Sequence, residues 1–356
     1  MKIILFIDSL GAGGAQRQLV GLALLLKRHL YDVSVCTYHD IDFYKKTLEE
    51  NEIVIKNIFS ENYFKRLFLV SSYFRKENPD WIIAYQESPS LIACLSKLLN
   101  GKFKLLVSER STTQHIGHNE KLRFFLYHLS DYIVPNSYSQ ENFLKSNYAW
   151  MKNKINTITN YVDLNKFLYH KKGLNEPPLI VVVASIWEPK NTLGFIDAVK
   201  ILSERKYSFK IEWYGVAKGH EQYLNSCNEL INKYNLQEYI ELLPKTNNIY
   251  EKYKSCDYFC LPSFYEGTPN VICEAISTGR PVICSSVCDN PIYVKENFNG
   301  FLFNPYNPND IADNLEKALL LSEDKYTEMC INSRKTAEEL LSEDKFVNKY
   351  IEILGK

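Results

Sequence analysis

Short apolar runs alternate with helix-patterned stretches along the whole chain, and no other feature limits the fold so tightly. In the first half the runs fall at residues 3–7, 33–37, 53–58, 81–84, 105–108 and 132–134. A second series begins at 179–184 and continues at 210–214, 239–242, 258–261 and 281–284. Strands of this kind separated by helices read as βαβ units around a parallel sheet. Between the two series lies His170-Lys171-Lys172-Gly173-Leu174-Asn175-Glu176-Pro177-Pro178, polar and proline-ended, the composition of a linker. The expectation is an α/β protein of two doubly wound, Rossmann-like domains with a boundary near residue 171. A length of 356 residues exceeds one ordinary core, and 46% hydrophobic residues suffice for two.

In open α/β sheets ligands bind outside the carboxyl ends of the strands, so two facing domains of this type are expected to line a cleft. The chemistry-bearing residues follow strands. After the 258–261 run comes PSFYEGTPNVICEA, which sets Glu266 and Glu274 with seven residues between them. Gly267, Thr268 and Pro269 read as a tight turn, with the proline at the first helical position. The amides of Asn270 and Val271 then attract an anion such as a phosphate. Glu274, further into the helix, suits a pair of vicinal ribose hydroxyls, and Glu266 suits the sugar itself. Lys190, in the turn after 179–184, is a point charge for a departing diphosphate. After the first strand, Gly11-Ala12-Gly13-Gly14 offers bare positions where a backbone can approach a diphosphate, Gly13 and Gly14 above all. The structural alternatives are solvated glutamates flanking a core helix and an ordinary first-turn lysine.

Five segments in this order resemble glycosyltransferase family 4, the retaining enzymes of GT-B architecture: GAGGAQR at 11–17, ITNYVDLNKF at 158–167, VASIWEPKN at 183–191, the Glu266/Glu274 segment, and NGFLF at 299–303 followed by Asp310. The resemblance implies an acceptor-side domain at 1–170, a nucleotide-sugar domain at 171–340 and a last helix, 341–356, crossing back to the first domain. It implies donor binding by Gly13, Gly14, Ser185, Lys190, Lys245, Glu266, Gly267, Thr268, Pro269, Asn270, Val271 and Glu274. Catalytic work falls to Glu266, Lys190 and Glu109. One departure stands out: family members carry an arginine where this chain has Ser185. Either Lys190 and the helix amides suffice, or Lys245 or Arg110 replaces that charge. Glu109 stands where many members have a histidine, so a carboxylate can take the acceptor proton there while Arg110 holds an acceptor phosphate; the pair can equally just stiffen its loop. No metal and no other cofactor is expected.

The implied reaction moves a hexose or N-acetylhexosamine from a UDP-sugar to a lipid-linked saccharide in surface polysaccharide synthesis. The alternatives are a sugar-nucleotide epimerase of the same fold or an inactive scaffold. A dinucleotide-binding reading of the first glycines fails because Gln16 replaces the third glycine, and His115-Ile116-Gly117-His118 lacks the context of a nucleotidyltransferase. Nucleic acid is not an expected partner. Nine scattered cysteines without a C-x-x-C pair read as buried thiols.

Formal net charge is zero, yet residues 1–168 hold 21 Lys+Arg against 16 Asp+Glu, leaving 21 against 26 for the rest. A basic first half suits an anionic membrane surface. No apolar run is long enough to span a bilayer, and the opening MKIILFIDSL reads as a strand, not a secretory signal. The expected place of work is the cytoplasm, peripheral on the inner face of the membrane. Two basic-aromatic stretches, 63–68 and 121–127, are candidates for the contact. The second, with Lys121, Arg123, Phe124, Phe125 and Tyr127, is expected to dock.

Overall fold

The computed structural model describes residues 1–99, 101–216, 219–246 and 248–355. They form two compact units, Met1–Asn160 with Glu343–Lys356, and Tyr161–Ser342. The first is built on β1 (Lys2–Phe6), β2 (Asp32–Thr37), β3 (Val54–Asn57), β4 (Trp81–Tyr85), β5 (Lys104–Glu109) and β6 (Tyr132–Pro135). The second is built on β7 (Leu179–Val183), β8 (Lys210–Val216), β9 (Ile240–Pro244), β10 (Tyr258–Leu261), β11 (Val282–Ser285) and β12 (Gly300–Phe303). Their sheets run β3-β2-β1-β4-β5-β6 and β12-β11-β10-β7-β8-β9, and all the pairings between neighbours are parallel.

These strands read as unbroken apolar runs because helices cover both faces of a parallel sheet. Ile3, Ile4, Leu5 and Phe6 of β1 are fully buried, as are Ile180, Val181 and Val182 of β7. Strand order reverses between β1 and β4 in one sheet and between β7 and β10 in the other, which makes those positions the natural ligand sites. β12 was not among the runs expected from the sequence. It is a four-residue strand opening on Gly300, where a Cβ would lie 1.8 Å from the Val282 carbonyl oxygen of β11.

The division falls at Asn160/Tyr161, ten residues before the expected boundary. Residues 161–178 are not a loose linker, because buried charges of the second unit hold them. Asp257, wholly buried, accepts from Lys172 Nζ (2.5 Å), the Asn175 amide nitrogen (3.0 Å), Asn175 Nδ2 (2.9 Å) and the Leu179 amide (2.7 Å). The wholly buried Arg280 donates to the carbonyl of His170, and Phe167 packs in the core with Tyr253. The helix Glu343–Leu354 belongs to the first unit. Tyr350 shares a 2.7 Å hydroxyl hydrogen bond with Tyr85 at the end of β4, and Arg28 pairs with Glu343 at 3.1 Å. Among the described residues no helix is long and apolar enough to cross a membrane.

Candidate functional site

β7 and β10 are neighbours in register, Tyr258 opposite Ile180 and Cys260 opposite Val182. The segments leaving their carboxyl ends therefore rise side by side. After β7 the chain passes half-buried Ser185 and makes a 3-10 turn, Glu188–Lys190, closed by Asn191 in the left-handed region at φ 56°. The helix Thr192–Glu204 follows. After β10 it passes buried Ser263 and half-buried Glu266 and enters the helix Asn270–Ser277. The Phe264 amide donates to the Pro189 carbonyl at 2.9 Å and ties the two turns together.

This brings Lys190 and Glu266 into contact. Lys190 Nζ donates to Glu266 Oε1 at 2.5 Å, and Ser263 Oγ donates to the same oxygen at 2.6 Å. The side chains are 21% and 13% exposed, so water reaches the pair only in part. Pro269 is the N-cap of the helix, not its first helical residue as expected; the first helical position is Asn270. The amides of Asn270 and Val271 precede the first closing bond, from the Cys273 amide to the Pro269 carbonyl at 3.1 Å. Such amides favour negative charge. Gly267 is half-buried, Thr268 and Pro269 are buried, and Glu274 is 3% exposed. Glu274 Oε2 accepts from the Tyr253 hydroxyl at 2.9 Å.

Other expected residues stand apart from this group. Lys245 is exposed just past β9, two strands from β7 and hence about 10 Å across the sheet. At the first glycine turn, Gly13 caps the helix Gly14–Arg28, and the room beside it is already occupied. A Cβ on Gly13 would meet Gln16 Oε1 at 2.1 Å, and Gln16 Nε2 reaches Asp8 Oδ1 at 3.1 Å. The bare position takes the end of the Gln16 side chain.

Glu109 does not open into a cleft. It is 1% exposed, accepts from the Tyr127 hydroxyl and from Gln140 Nε2 (3.4 Å), and pairs with Arg123 at 3.4 Å. Burial pushes its carboxyl up from the usual range, opposed by the Arg123 guanidinium. Arg123, itself 3% exposed, also pairs with Glu87 at 2.5 Å. The ion pair thus joins Glu109 to a helix fourteen residues on, not to adjacent Arg110, because successive strand side chains point to opposite faces. Arg110 is half-buried, donates to Asn160 Oδ1 and lies 4.8 Å from the Tyr85 ring centroid, with Nε and Nη1 buried and not hydrogen-bonded. The same network corrects the docking helix: Arg123, Phe124 and Tyr127 are buried, leaving Lys121, Leu122 and Phe125 outside.

Sequence reasoning missed Ser263, Tyr253 and the buried role of Arg123. Ser263, three residues before Glu266, was visible as a turn residue; nothing in the sequence pointed to Tyr253. One Asp-x-Asp does occur in the chain, Asp40-Ile41-Asp42, exposed after β2 in the first unit.

Two Rossmann-like units of the same strand order, one presenting a Lys–Glu pair and a helix N-terminus at its switch point, have the architecture of a GT-B glycosyltransferase. Crystalline Anabaena HepE in complex with UDP and glucose has the same fold, at a TM-score of 0.86 over 100% of both chains and 18% identity. Residues 12–166 match the family model Glycosyltransferase Family 4, and residues 166–336 match Glycosyl transferases group 1. The chain belongs to the family 4 glycosyltransferases. It is 26% identical, over 99% of both chains, to the N-acetylgalactosamine-N,N'-diacetylbacillosaminyl-diphospho-undecaprenol 4-alpha-N-acetylgalactosaminyltransferase of Campylobacter jejuni. It is 34% identical, over 48% of this chain and 46% of the other, to the UDP-Gal:alpha-D-GlcNAc-diphosphoundecaprenol alpha-1,3-galactosyltransferase of Escherichia coli.

Proposed function

We propose that the protein is a retaining glycosyltransferase that moves a hexose or N-acetylhexosamine from a UDP-sugar to a lipid-linked saccharide during surface polysaccharide assembly. It would work without a metal, at the anionic cytoplasmic face of the membrane. The observation that carries the reading is the Lys190–Glu266 contact at the switch point of the second sheet, beside the start of the helix Asn270–Ser277. Relatives whose names specify diphospho-undecaprenol acceptors support the lipid-linked part.

Transfer builds negative charge on the departing β-phosphate and positive charge at the anomeric carbon. Lys190 supplies the opposing cation and the amides of Asn270 and Val271 supply oriented dipoles. When the diphosphate takes the ammonium of Lys190, Glu266 loses that partner but keeps Ser263, and its carboxylate turns to the hydroxyls of the donor sugar. Glu266 orients the sugar and does not act as a displaced nucleophile; the acceptor hydroxyl attacks from the leaving-group face as the bond from the anomeric carbon to the β-phosphate oxygen breaks, and its proton passes to that departing oxygen. Glu274, braced by Tyr253, takes the ribose hydroxyls. In the first unit, Arg110 offers its guanidinium to an acceptor phosphate.

A thermal-shift screen of UDP-, GDP- and ADP-sugars tests the reading. A donor at about a hundred times its dissociation constant stabilises by about 2.7 kcal/mol. A shift with UDP-sugars is expected, and no shift with any of the three removes the donor site.

A further inference from the structure

We infer that the first unit docks on anionic bilayers through the start of the helix Tyr63–Glu77 and the loop before it, and not through the helix His118–Leu126. The inference rests on the lipid-linked acceptor proposed above. Phe59, Phe64 and Phe68 are 59%, 79% and 70% exposed. A phenylalanine ring has no polar atom that water can satisfy, and clustered exposed apolar surface marks an interaction site. Phe64 and Phe68 stand one turn apart on one helix face. The junction that presents them is built, not loose: Asn62 caps the helix by accepting from the Lys65 amide at 3.0 Å. Arg66 Nη2 donates to the Ser60 carbonyl at 2.7 Å, with its guanidinium 4.5 Å from the Tyr38 ring centroid. The rings are held outward by a rigid base.

Charge decides the occupant. Lys65, Arg75 and Lys76 are exposed on this helix, while its one acid, Glu77, is engaged by Lys2 at 2.8 Å. Glu61 is the one acid in the segment 59–68. Aromatic rings beside lysine and arginine match the boundary between headgroups and acyl chains of an anionic membrane. The position is also consistent. In a parallel sheet all strands end at one edge, so the segment after β3 shares that edge with Arg110 after β5, four strand spacings or about 19 Å away. A lipid-linked acceptor anchored beside Phe64 has its saccharide along the edge where Arg110 lies.

The test is co-sedimentation with vesicles of phosphatidylcholine alone or with phosphatidylglycerol, at low and high salt. Wild type should bind the anionic vesicles, less so as salt rises. Phe64→Ser/Phe68→Ser should lose about tenfold in binding, and Lys65→Glu should lose the salt-sensitive part. Leu122→Ser/Phe125→Ser should bind as wild type does. Because Phe64 and Phe68 are exposed, their variant should keep its melting temperature and its UDP-sugar thermal shift. Loss of vesicle binding with the donor shift retained therefore separates this inference from the enzymatic reading. Wild type that ignores anionic vesicles, or binding unchanged by Phe64→Ser/Phe68→Ser, overturns it. So does a change in sedimenting mass without a change in vesicle binding, which would make the patch a contact between copies.

Discussion

Lys190 and Glu266 neutralise each other in the unliganded chain, and Ser263 fixes which carboxylate oxygen is used. Lys190→Ala removes the cation expected to face the departing diphosphate. The loss in kcat/KM should be about 2–4 kcal/mol, by comparison with deleting a donor to a developing oxyanion. Steady-state kinetics decide it: activity within about twofold of wild type would take Lys190 out of the site. The two glutamates should separate. Ribose contacts are equal in ground and transition states, whereas contacts at the reacting sugar are not, so Glu274→Gln should raise the donor KM and Glu266→Gln should lower kcat. Glutamine is preferred at 274 because alanine also strips the buried Tyr253 hydroxyl of its acceptor, which costs about 1–3 kcal/mol in stability. Equal effects of both variants on KM alone would sink the division of roles.

At the scale of elements, the network of Glu109, Arg123, Glu87, Tyr127 and Gln140 binds the end of β5 to the helices that flank it. Arg123→Ala leaves Glu109 buried without its cation, and urea denaturation should show about 3–5 kcal/mol lost. Burial holds the Glu109 carboxyl above its ordinary 4.5, so over the interval above 4.5 the folded chain keeps a proton the unfolded chain has released. Its contribution to stability is present below that interval and is lost as pH rises through the folded value. Wild type should therefore lose stability relative to Glu109→Gln as pH rises above about 4.5, and a constant gap would refute the shift. This network was illegible in the sequence because its charges lie 14 and 36 positions apart, and an arginine on an amphipathic helix looks the same whether it faces water or a buried carboxylate. The linker was misread for the same reason: residues 170–178 are polar, and nothing local reveals that Asp257 gathers them. The buried parallel strands were readable, since covering both faces leaves a continuous apolar run, and only the four-residue β12 escaped. Lys190 and Glu266 were readable because each follows a strand whose order in a doubly wound sheet is fixed by topology.

At the scale of the whole molecule, the candidate metal pair and the candidate phosphate cation belong to different units, Asp40 and Asp42 to the first and Lys190 to the second. A metal-dependent transferase would use a carboxylate pair to hold an ion against the diphosphate, so the ion would carry the leaving-group charge. In the mechanism proposed above Lys190 and the helix amides carry it, and Asp40 and Asp42 have no part. Both schemes neutralise the same charge, so kinetics with donor and acceptor alone do not separate them. Chelation does. With EDTA in excess, transfer should continue at its original rate, and added Mg²⁺ should change little. Asp40→Asn/Asp42→Asn should then keep kcat within about twofold, whereas Lys190→Ala under the same conditions should not. A complete loss in EDTA that Mg²⁺ restores, together with a matching loss in Asp40→Asn/Asp42→Asn, would move the leaving-group charge from Lys190 to an ion held by the first unit. Restoration without an effect of that variant would still overturn the metal-free mechanism and would place the ion's ligands elsewhere in the chain.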